Sequence, residues 1–282
     1  MEEIAYNVFI ENDFRGVVLG AIILDQGLIF VDAPIYFEHV QVWQKRMAPL
    51  SDGLPNKLVV MMDTHIDRVM GVRALEIDIL GHQNAIDILT NRTNTLRAQD
   101  IDCGALYTPD DLTTNIHWPV PNLSFTDQIS LYWDDEPVIV THQPGAHSAG
   151  AWVDCRAEKV IFVGDSVVVH QPPFLAWADL DMWIAELTWL ISDVYKGYKI
   201  VSSRSGIVTR RSIDWMIRFL MTVKEVVVEF SASENKSEAI AAVVPVLLRR
   251  MRFDKSYATC YRNRLAWGLD QYLQKHYPKD HH

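Results

Sequence analysis

The stretch Lys57-Leu58-Val59-Val60-Met61-Met62-Asp63-Thr64-His65-Ile66-Asp67-Arg68-Val69-Met70-Gly71 decides how this chain is read. Lys57 to Met62 is a short, mostly apolar run of the kind that forms a buried strand. It stops at Asp63, His65, Asp67 and Arg68, and the segment Val69 to Leu75 that follows reads as helical. In layered α/β proteins a rigid strand fixes the side chains just beyond its end, so polar residues clustered there mark a place for chemistry.

Toward the N-terminus, Tyr6 to Glu11, Val17 to Leu24 and Leu28 to Val31 are runs of branched and aromatic residues with turn residues between them, an antiparallel meander. Asp25-Gln26-Gly27 breaks the most apolar region as a hairpin turn, which argues against a membrane span there. Ile35 to Leu50 has helical spacing (Tyr36, Val40, Trp43, Met47) and supplies a covering helix.

Toward the C-terminus, strands are expected at Ile129 to Trp133, Pro137 to Thr141, Ala151 to Cys155 and Lys159 to Val163. Helices follow at Trp177 to Val194 and Ser212 to Thr222, with a further strand at Val226 to Glu229. Lys236 to Lys275 is a helical section that Pro245 divides into more than one helix. Strands, helices, strands, helices implies an α/β fold with two sheets face to face and helices outside, an αββα four-layer sandwich.

No linker-like stretch or internal repeat divides the 282 residues, so the expectation is one domain over 1–282, with the helical section at about 236–275 closing it. A formal charge of −10 disfavours nucleic acid as a partner. Arg249, Arg250, Arg252 and Lys255 read as a solvated face complementing a helix dipole. The acidic start Met1-Glu2-Glu3 has no secretory character, and Cys103, Cys155 and Cys260 include no Cys-x-x-Cys pair, which suits reduced thiols in the cytoplasm. His281 and His282 read as a terminal tail. No nucleophile elbow, phosphate-cradling loop or dinucleotide fingerprint is present.

Asp63-x-His65-x-Asp67-Arg68-x-x-Gly71 resembles the metallo-β-lactamase superfamily signature His-x-His-x-Asp-His-x-x-Gly. Pro144-Gly145-Ala146-His147-Ser148-Ala149-Gly150 is similar to the family's Gly-His-Thr-x-Gly loop with one extra residue, and Val160 to Asp165 to its Phe-x-Gly-Asp strand end. Val31-Asp32 and Leu80-Gly81-His82 are weaker echoes, and Val201 to Gly206 stands in place of its Pro-Gly-His-Gly.

The resemblance implies Asp63, His65 and His147 on a first metal, Asp165 as a bridge, and Asp67 with the Arg68 and Arg204 positions on a second. Arginine has no lone pair to give a metal, so the second site lacks two of its ligands. Matching Gly206 to the family's last glycine puts Ser205 rather than Arg204 at the final position, and neither is an imidazole. The two guanidinia nearly balance the three carboxylates, so they stand in for the charge of a second ion.

At most one divalent ion (Zn, Fe or Mn) is therefore expected, on Asp63, His65, His147 and Asp165. The resemblance then implies a hydrolase-like protein acting on an ester, thioester, lactone or phosphodiester-type small molecule. Asp67 would accept the proton of water, and Arg68 and Arg204 would hold an anionic substrate or developing oxyanion charge. The alternative is a metal-free, non-catalytic protein binding an anionic small molecule or a protein partner, with the same residues forming a salt-bridge cluster. Trp177 or Trp183 is a candidate wall for an apolar pocket, although tryptophans at helical positions are more often core, and His142 and His170 read as structural.

Overall fold

The computed structural model describes residues 1–92, 117–231, 233 and 235–278. Cys103, His281 and His282 lie outside the described residues. The first sheet runs in the order β1 (Glu2–Ala5), β2 (Val8–Glu11), β3 (Leu19–Leu24), β4 (Gly27–Val31), β5 (Asn56–Val60), β6 (Asp78–His82) and β7 (Leu123–Phe125). Neighbours from β1 to β4 are antiparallel, and those from β4 to β7 are parallel. Asp25-Gln26 is the two-residue loop between β3 and β4, where Leu24 pairs with Gly27.

The second sheet comprises β8 (Gln128–Leu131), β9 (Val138–His142), β10 (Ala151–Cys155), β11 (Val160–Phe162), β12 (Lys199–Ser202) and β13 (Gly206–Val208), in the order β13-β12-β11-β10-β9-β8. Only the β11–β12 pair is parallel. The helices are α1 (Phe37–Met47), α2 (Ile66–Val69), α3 (Gln83–Asn91), α4 (Leu180–Leu190), α5 (Arg210–Ser231), α6 (Lys236–Arg249) and α7 (Ala258–His276).

Three apolar clusters account for the four layers. Val8, Ile22, Val60 and Met62 from the first sheet meet Val140, Val153, Phe162 and Val201 from the second, which is the inner core. Phe9, Leu28 and Val59 face the other way, onto Val40, Trp43 and Met47 of α1. Ile161 and Ile200 likewise turn outward onto Trp183, Leu220, Val244 and Leu265 of α4 to α7. Both β5 and β11 thus bury residues on two faces, as their unbroken apolar runs require.

Two sequence expectations are corrected. Val226 to Glu229 is not a strand but the last part of α5, whose buried residues Ile213, Met216, Leu220, Val223 and Val227 keep helical spacing to the end. The packing of that face overrides the β preference of three consecutive valines. The helical section from Lys236 does divide, but around 250–257 and not at Pro245, which sits inside α6. Pro245 and Ala241, whose carbonyl it leaves without an N–H, both lie on the exposed face of the helix, where solvent can take the place of the lost donor.

No described helix is long and apolar enough to cross a membrane. Cys155 is buried in β10, and Cys260 is half-buried in α7.

Candidate active site

The parallel pairs β4–β5 and β11–β12 end at the same side of the sandwich, and the sequence places an acid or an arginine just beyond each of these ends: Asp32, Asp63, Asp165 and Arg204. Backbone bonds join the two sheets there, from Ala151 N to Met62 O at 2.8 Å and from Val18 N to Ser203 O at 2.8 Å. Gly71 lets α2 and the turn after it approach the strand ends, because a Cβ at that position would lie 1.9 Å from Pro34 O. The glycine of the motif is a packing requirement.

Asp63 Oδ1 accepts from His65 N at 2.9 Å, a local turn that redirects the chain from β5 into α2. Its Oδ2 lies 2.9 Å from His65 Nδ1 and also accepts from Arg68 Nη2. The same Nη2 is 3.1 Å from Asp165 Oδ2 and 3.3 Å from His65 Nδ1. Arg68 Nη1 donates to Asp32 Oδ2 at 3.0 Å, and the side chain is fully buried.

Arg204 fills the other side. Nε and Nη2 donate to the two oxygens of Asp165 at 3.0 and 3.1 Å; Nη2 and Nη1 donate to the two oxygens of Asp67, the former at 3.0 Å; Nη1 also donates to Gly16 O at 3.1 Å. Five acceptors therefore engage all the N–H groups a guanidinium has. Ser205 does not enter the cluster: its Oγ accepts from Val169 N at 2.9 Å.

Asp32 joins the cluster although the sequence marked it only as the end of a strand. It is fully buried, holds φ at 59°, and accepts from Met62 N at 2.9 Å. Four carboxylates thus face two guanidinia. Burial raises Asp32, Arg68 only partly opposes this, and Asp63 and Asp165 add to the rise, leaving its carboxyl at about 7. For Asp63 burial is outweighed by Arg68 and then His65, which hold it well below the usual carboxylate range. Asp165 is lowered likewise, with Arg204 and Arg68 overcoming its burial. Both guanidinia are raised in turn, because the carboxylates outweigh their own desolvation.

His147 is brought to the cluster, its ring 5.3 Å from that of His65, but both nitrogens are engaged. Nδ1 accepts from Ala149 N at 3.0 Å, so in the neutral ring the proton is on Nε2, which faces Thr64 Oγ1 at 3.1 Å. Burial above all pushes this imidazole down to about 3.

Ligand atoms of Asp63, His65 and Asp165 lie within 4.8 Å of one another, a three-residue candidate metal set. An ion about 2.0–2.2 Å from each of them needs the space that Arg68 Nη2 occupies. As arranged, the residues do not fit a metal: Arg68 stands among the three donors, His147 is turned to Thr64, and Asp67 is bound through both oxygens to Arg204.

Phe174 lies 4.6 Å from the His65 ring, with the guanidinia of Arg204 and Arg264 at 5.0 and 4.3 Å. Trp183 is core, donating from Nε1 to Ser166 O at 2.8 Å, whereas Trp177 is 41% exposed and 6.2 Å from His147, at the rim. His82 is not at the site: it donates from Nε2 to Thr126 O at 2.7 Å and stacks on His142 at 3.5 Å.

No protein-family model and no curated protein matches the chain. Solved structures do. A metallo-β-lactamase from Pontibacter korlensis is 15% identical, covering 78% of this chain and 97% of its own, with a TM-score of 0.58. DIM-1 metallo-β-lactamase is 14% identical, covering 78% and 96%, with a TM-score of 0.59. The stereoselective inverting sec-alkylsulfatase Pisa1 from Pseudomonas sp. is 14% identical, covering 98% of this chain but only 50% of its own, with a TM-score of 0.68. At such identities the likeness establishes the fold: the chain has the metallo-β-lactamase fold, shared with hydrolases.

Proposed function

We propose that this chain is a metal-free protein of the metallo-β-lactamase fold, which binds a small molecule and does not carry out metal-dependent hydrolysis. One observation carries the reading: Arg68 Nη2 sits among Asp63 Oδ2, His65 Nδ1 and Asp165 Oδ2, the atoms a metal would need. A guanidinium there supplies fixed positive charge without Lewis acidity or an exchangeable water. Arg204 supplies the second, and its fork fits two carboxylates at once. The roles in catalysis that the resemblance implies for Asp67, Arg68 and Arg204 would require this network to open, since Asp67 is bidentate to Arg204 and Arg204 has no N–H left for a substrate.

The second reading is a hydrolase holding one divalent ion on Asp63, His65 and Asp165, and the proximity of those three residues favours it. Elemental analysis separates the two. The protein, purified without affinity histidines after growth with added zinc, iron and manganese, is expected to contain well below one equivalent of any of them. One equivalent that disappears in His65→Ala establishes the second reading and overturns the first.

A further inference from the structure

A cavity of 480 Å³ opens on the far side of Arg204, between the Val169–Gln171 segment, the chain from Ser205 to Ser212, and the start of the last helical section at Asp254, Tyr257 and Tyr261. Its volume lies in the range of about 300–1,000 Å³ usual for small-molecule sites. The hydrogen-bonding groups in its wall divide into those already engaged and those without a partner among the described residues.

Arg204 is engaged throughout, as is the Ser205 hydroxyl, which exchanges bonds with the backbone of Val169. Gln171 is engaged on one side only. Its Oε1 accepts from Arg264 Nη1 at 2.8 Å, and because a guanidinium only donates, the amide orientation is fixed and Nε2 is left over. The residue is 9% exposed, and no acceptor for that NH2 stands among the described residues. Tyr261, 5% exposed, likewise lines the cavity, with no hydrogen bond to its hydroxyl among the described residues. Both donors open on the cavity and have no acceptor among the described residues.

The mouth is complementary. His170 Nδ1 faces Arg252 O at 3.0 Å, which puts the proton of the neutral ring on Nδ1 and leaves Nε2 an acceptor. Asp254 uses Oδ1 to accept from Ser256 N, which with the side chain of Ser256 lowers its pKa. Tyr257 and Tyr261, ring centroids 5.7 Å apart, form an aromatic side, and Val169, Ile207 and Val208 an apolar one. Arg252 and Lys255, on either side of Asp254 in sequence, are exposed and do not line the cavity. An anion would therefore meet no available cation in the wall and one carboxylate at the mouth.

We propose that this cavity binds an uncharged small molecule with a flat body and a carboxamide or lactam group, its carbonyl accepting from Gln171 Nε2 and Tyr261 Oη and its N–H donating toward His170 Nε2 and Asp254. The inference rests on reading the chain as a binding protein, but not on the metal content of the cluster. A donor that opens on a cavity exchanges water for a ligand acceptor, and rejection of ligands lacking that acceptor is the usual source of polar specificity.

The test uses three probes of one skeleton, benzamide, benzoate and benzylammonium, titrated by ligand-observed NMR into the full chain at pH 7.5. Benzamide is expected to bind at least about tenfold more tightly than either ion. Gln171→Glu keeps an acceptor for Arg264 and replaces the NH2 with a carboxylate oxygen that cannot donate, and Tyr261→Phe removes only the hydroxyl. Each is expected to fold as wild type and to weaken benzamide about tenfold. Undetectable benzamide binding, equal or tighter binding of benzoate, or unchanged affinity in a folded Gln171→Glu variant overturns the proposal. Metal content, measured on the same samples, reports on the proposed function separately, because the cavity contains none of Asp63, His65, His147 or Asp165.

Discussion

Arg204 separates two regions made from similar materials and left in opposite states. On one side four aspartates and two arginines close upon each other, and every Arg204 N–H has an acceptor. On the other, Gln171 and Tyr261 are buried nearly as deeply but face open volume. Burial of polar groups is thus not by itself a sign of a site. A network complete within the protein fixes structure, and the groups lacking partners are those available to a ligand.

The largest expected effect comes from removing one cation from the closed side. Arg68→Met should destabilise by about 3 to 5 kcal/mol, because Asp32, Asp63 and Asp165 would stay buried with one guanidinium fewer among them. Urea unfolding at pH 7 measures it. A loss under about 1 kcal/mol would show that the cluster does not hold the strand ends together.

Glu186 shows what a buried carboxylate does without an arginine. It accepts from Gly145 N at 2.8 Å, Oε2 has no partner among the described residues, and burial raises its pKa to about 7. An acid raised in the folded state binds more protons folded than unfolded. Its effect on stability is therefore neutral below its unfolded value of about 4.5, grows more unfavourable as pH rises from there to about 7, and levels off above. Glu186→Gln should thus gain stability over wild type with rising pH, by up to about 3 kcal/mol at pH 8 and by nothing near pH 4. Parallel melts across that range check it, and a pH-independent difference would contradict the assignment.

The double change Arg68→His, Arg204→His replaces two fixed cations with lone pairs beside Asp63 and Asp165. Zn²⁺ affinity should rise about a hundredfold over wild type, or about 2.7 kcal/mol, with each single change giving less. Isothermal titration of all four proteins provides the measurement. Unchanged affinity in a folded double variant would mean that the arginines do not decide metal exclusion. The smallest effect belongs to the open side: Tyr261→Phe should alter stability by no more than about 0.5 kcal/mol, since its hydroxyl bonds to none of the described residues. A larger loss in urea unfolding would mean that the cavity, too, is structural.

The sandwich and the strand ends that carry the candidate site are legible in the residue pattern alone. Lys57 to Met62 and Lys159 to Val163 read as buried strands because burial on both faces leaves a nearly unbroken apolar run, and the polar residues after them mark where burial stops. Asp63, His65, Asp67, Arg68, His147, Asp165 and Arg204 were all legible, and they do converge. Local spacing encodes local geometry, and that much needs no partner. Tertiary structure alone decided the rest. Val226 to Val228 became helix because one face of α5 continues over the core, and Asp32, Gln171 with Phe174, and Arg264 reached the site or its neighbouring cavity from three separated segments. Whether an arginine beside three metal-type donors shares the site with an ion or takes its place depends on where a long, flexible side chain finds acceptors. For Arg68 those acceptors are Asp32, Asp63 and Asp165, carried on three strand ends from both sheets, and only folding brings them within reach of one guanidinium.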